Sequence, residues 1–157
     1  VHPPTPLNFV RNFIPLLEQS GCSSSVALEI KEVARFLTEL SVCDYYFTTR
    51  KPSSIGLGAL LTAFDSFDDA TLPLRVRERF LDRVHMTGVI DPAAQEVLDC
   101  KGRLCETYLQ DSGYHQQQSE AVLNDGGRYS PDCVGDIESS YHNSKRHCDR
   151  NLRNAVG

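Results

Sequence analysis

The 157 residues carry 16 Lys and Arg against 21 Asp and Glu, a net charge of −5, and 40% of them are hydrophobic. So acidic a chain argues against nucleic acid as the main ligand, because phosphate binding needs a basic face. It has no run of about 18 uncharged apolar residues, so nothing in it reads as crossing a membrane.

The N-terminal stretch VHPPTPLNF lacks the charged and apolar regions of a signal peptide, and Val1 in place of Met implies a start within a longer protein. Thr5 suits a helix N-cap and Pro6 the first helical position. Phe9, Val10, Phe13, Ile14 and Leu17 then form one stripe. Pro15 removes a backbone donor and crowds the carbonyl of Arg11, so a kink or a restarted helix is expected there. The run SSSV opens a second helix, on which Val26, Ile30, Val33, Ala34, Leu37 and Ser41 trace one face. Ala27, Leu28, Phe36 and Leu40 widen that face almost to the whole circumference, the pattern of a buried central helix.

Pro52 opens a third helix, with Ser53 and Ser54 placed to bond its free amides. Ile55, Leu57, Leu60, Leu61 and Phe64 follow, with Gly56, Gly58, Ala59 and Ala63 between them. Each glycine costs about 1 kcal/mol against Ala inside a helix. Close approach of a neighbouring backbone is what offsets that cost, which predicts a second buried helix. A fourth is expected from about Leu72 to Val84, with Pro73 in its first turn and Leu74, Phe80, Leu81 and Val84 inward. Gly88 ends this unit. Asp91 as N-cap and Pro92 at the first position open a fifth, whose core face is Ala94, Val97, Leu98, Leu104, Cys105, Tyr108 and Leu109.

This reading gives an all-α domain of five helices over residues 1–110, with two buried central helices. Residues 111–157 contain six Leu, Ile, Val or Phe in 47 positions. That is too few to repay the entropy of ordering, so a disordered polar tail is expected.

Catalytic chemistry finds little support. Gly56-x-Gly58-x-x-Leu61 lacks the third glycine and the preceding strand of a dinucleotide fingerprint. Cys100 and Cys105, even with Cys133, His142, His147 and Cys148, match no zinc-ligand spacing. His85 has no nucleophile paired with it in sequence, and Glu39 and Asp44 are out of register for a carboxylate pair. The chain therefore reads as a non-enzyme without cofactor or metal. Arg75, Arg79 and Arg83 repeat every four residues and could grip an acidic partner, but Glu78 and Asp82 are interleaved, so a solvated face is the simpler reading. Six cysteines at low density, with no N-x-Ser/Thr acceptor, suit a reducing, intracellular setting. The expected location is nucleus and/or cytoplasm. In the tail, SKRHCDR is a short basic cluster of the kind used for nuclear import, and Ser130 before Pro131 is a minimal phosphosite.

Three segments together, HPPTPLNFVRNFI, ARFLTELSVCDYYFTTRKPSSIGLGALLTAF and MTGVIDPAAQEVLDCKGRL, resemble the C-terminal cyclin box of A/B-type mitotic cyclins. The motif positions are Thr5, Pro6 and Phe9; Ala34, Leu37, Glu39, Leu40, Asp44 and Tyr45; and Pro52, Ser53 and Ile55. The resemblance runs from about residue 2 to 110, with Gly56 and Gly58 where the family usually has Ala. It implies the five-helix cyclin-like fold and a non-catalytic regulatory subunit of a cyclin-dependent protein kinase, acting in cell-cycle control. In that family the N-terminal box, absent from these residues, makes the main kinase contact and docks substrate peptides. This half is accordingly expected to act as scaffold. Two other readings accompany it. One is a diverged or truncated cyclin-fold scaffold or interaction protein without kinase activation. The other is a promoter-binding transcription factor, which the 11 basic and 14 acidic residues of the helical part disfavour.

Overall fold

The hydroxyl of Thr5 accepts a hydrogen bond from the Asn8 amide at 3.3 Å, and Pro6 follows it as the first residue of helix α1, Pro6–Gln19. Four more α-helices follow in the computed structural model: α2 Ser24–Val42, α3 Pro52–Phe64, α4 Leu74–Met86 and α5 Gln95–Val122. A 3₁₀ helix, Tyr45–Thr49, joins α2 to α3. The structure describes residues 3–122, with side chains through residue 110, and contains no strand among them. The fold is the all-α, five-helix one expected.

The centre of the domain is α3. Ten of its thirteen residues are buried, and it packs most extensively on α5, then on α2 and α1. Its two glycines explain how three helices come so close. A Cβ on Gly56 would lie 2.7 Å from the carbonyl oxygen of Pro6 and 2.9 Å from Cβ of Phe9; one on Gly58 would lie 3.1 Å from both Cβ of Cys100 and the amide nitrogen of Lys101. Gly56 thus admits α1 and Gly58 admits α5. Around them Leu57, Leu60, Ala59 and Ala63 are fully buried, and Phe64 meets Phe80 of α4 edge-on at 5.3 Å.

Burial is less even in α2 than its apolar pattern predicts. Ala27, Ile30, Ala34 and Leu37 are buried, but Leu28 is 55% exposed and Val42 is also exposed. The outward side is charged instead, where Arg35 bonds both Glu32 and Glu39. Among the described residues, only α3 is enclosed nearly all round.

Several boundaries also move. Helix α1 runs through Pro15 without restarting, because that proline is on the exposed side and displaces no buried partner. Helix α4 begins at Leu74, with Pro73 as its cap residue; Leu72 is the buried one, and Leu74, expected inward, is 61% exposed. Asp91 caps a turn rather than the helix, its carboxylate accepting from the Ala93 amide at 2.9 Å, and α5 starts at Gln95. Leu98, placed on the core face by its pattern, is partly exposed. Finally, α5 extends to Val122, past the boundary expected at residue 110. The added stretch contains Gln116, Gln117, Gln118, Glu120 and Ala121, whose helix propensity needs no apolar face. The expected tail beyond it, with Ser130 and the SKRHCDR cluster, lies outside the described residues.

Glycine closes two helices. Gly21, at φ 101°, ends α1 with its amide on the Glu18 carbonyl and the Cys22 amide on that of Leu17, a Schellman pattern. Gly88, at φ 66°, follows α4 with its amide on the His85 carbonyl, while the Val89 amide bonds the Thr87 hydroxyl at 3.3 Å.

Candidate functional site

The polar groups that converge most closely lie where the 3₁₀ helix meets α5. Asp44 caps the 3₁₀ helix by accepting from the Tyr46 amide at 2.9 Å, and its other oxygen accepts from Nε of Arg103 at 2.7 Å. These two bonds, the one from Arg103 first, hold the Asp44 carboxyl below its ordinary range. Arg103 also reaches Glu106 at 3.4 Å. Its guanidinium lies 5.9 Å from the centre of the Tyr46 ring, and that of Arg50 lies 4.6 Å from the same ring. Tyr46 therefore sits within reach of two cations, a favourable placement for a π face. Nε of Arg50 is buried with no hydrogen-bond partner.

A second tie lies next to the first. The amide of Lys51, the residue capping α3, donates to Oε1 of Glu96 at 2.9 Å, and the Lys51 ammonium lies 3.8 Å from the same carboxylate. No side-chain cap forms within α3 itself. The role expected of Ser53 and Ser54 is taken by a carboxylate from α5, placed where the positive end of the α3 dipole favours it. Further along, Thr62 donates to the carbonyl of Gly58 at 2.9 Å and reaches that of Lys101 at 3.3 Å, while Lys101 pairs with Asp65 at 3.0 Å. A row of polar ties thus fixes the 3₁₀ helix and α3 to α5.

The motif positions divide into three groups. Thr5 and Pro6 start α1, and Pro52 starts α3. Ala34, Leu37 and Ile55 are buried, with Phe9, Leu40 and Ser53 partly so. Asp44 is the anchor just described, Glu39 pairs with Arg35 on the surface, and Tyr45 stands 84% exposed beside the equally exposed Val42. The structure brings Asp44 together with Arg103 and Tyr46, stacks Arg50 on Tyr46, and ties Glu96 to Lys51; the sequence reading singled out none of Arg103, Tyr46, Arg50 or Glu96. Arg103 and Glu96 do fall within the segment MTGVIDPAAQEVLDCKGRL that carried the resemblance, which is the signal that could have found them.

Chemically, this arrangement is a set of ion pairs and capping bonds between elements. Its carboxylates are occupied by arginine, lysine and backbone donors, and among the described residues no three His, Cys, Asp or Glu come together as metal ligands. Burial, with Glu96 nearby, pushes the Cys100 thiol up to about 11, so it stays protonated at neutral pH. His85 faces Asp91 at 3.8 Å. The arginine stripe of α4 is partly a structural tie: Arg79 donates to the Ser20 carbonyl at 3.2 Å and Arg83 to Gln19 at 3.4 Å. Both reach the C-terminal end of α1, where cations are favoured.

Compared with known families, residues 4–124 match the family described as "Cyclin, C-terminal domain". The chain belongs to that family. The cyclin box is also 34% identical over 73 residues to Cyclin-A2-3 of Arabidopsis thaliana, an alignment covering 46% of this chain and 16% of that protein. No solved structure matches it. The family match takes in all five helices and ends two residues beyond Val122, so the whole of α5 is part of the cyclin domain.

Proposed function

We propose that this cyclin C-terminal domain belongs to a non-catalytic regulatory subunit of a cyclin-dependent protein kinase. The observation that carries the reading is the family match across the whole described helical unit. A kinase activator of this kind works by holding the kinase's regulatory helix in its active position, so its own requirement is rigidity. A helix buried nearly all round and tied to its neighbour at Lys51, Thr62 and Asp65 supports that role. Cys22, Cys43 and Cys100 are free thiols, which supports an intracellular setting, in nucleus or cytoplasm.

The test is the phosphorylation of a Ser-Pro peptide by a cyclin-dependent kinase, with and without the complete gene product. The expected result is co-purification with the kinase and at least about a tenfold rise in rate, the effect of roughly 1.4 kcal/mol of transition-state stabilisation. Binding without a rise in rate would favour a cyclin-fold scaffold. Neither binding nor activation with any kinase of that class would overturn the proposal.

A further inference from the structure

We draw no further inference here: the strongest candidate, the partly exposed stripe Leu98, Gly102, Cys105 and Leu109 along α5, at whose glycine an added Cβ would meet nothing within 4 Å, carries nothing because no feature of the structure shows what covers it.

Discussion

Two helical glycines, Gly56 and Gly102, differ in what surrounds them, so they separate propensity from packing. Gly102 faces open space, and Gly102→Ala is expected to stabilise the domain by about 0.5–1 kcal/mol, read from the urea midpoint. Gly56→Ala gains the same propensity but drives a methyl into the Pro6 carbonyl. A net loss of about 1–3 kcal/mol is expected. A stabilised Gly56→Ala variant would show that α1 does not pack as described. Asp44 offers a second contrast. Because its folded-state carboxyl titrates below the ordinary value of 3.8, it contributes stability above that value, and the contribution disappears as pH falls through the lowered one. Asp44→Ala should therefore cost about 1 kcal/mol at neutral pH, the scale of a lost cap. The difference between variant and parent should shrink below about pH 3.8; a difference independent of pH would remove Arg103 from the account.

At the level of elements, the sequence revealed local chemistry well and mutual arrangement poorly. Thr5, Ser23 and Gly88 mark helix ends through interactions within a few residues, so their roles can be read from the chain alone. The Asp44–Arg103 pair spans 59 positions and the Lys51–Glu96 bond spans 45, and no local spacing encodes either. Periodicity also misled where a helix is apolar for reasons other than the core, as with Leu28 in α2 and Leu74 in α4. Pro15 tests whether α1 is held by tertiary packing. Since it sits on the exposed side, Pro15→Ala should restore a backbone bond to Arg11 without disturbing the core. A gain of up to about 3 kcal/mol is expected in thermal unfolding. No gain would mean that the helix is already relaxed around the proline.

For the molecule as a whole, the thiols report on cooperativity. Cys43 is exposed, whereas Cys22 and Cys100 are buried with their acidities suppressed by that burial. Alkylation followed by mass mapping should modify Cys43 rapidly. Cys100, between α3 and α5, should be protected until the entire domain unfolds. Early labelling of Cys100 would mean that α5 detaches on its own. The position of that helix also has a consequence for biosynthesis. One flank of α3, the side opened by Gly58, faces Cys100 and Lys101 of α5, and the end of α5 at Val122 lies 58 positions after the end of α3 at Phe64. At about 5–20 residues per second, translation leaves that apolar flank without α5 for roughly 3–12 s. A nascent chain therefore offers its most hydrophobic segment to chaperones before α5 can claim it.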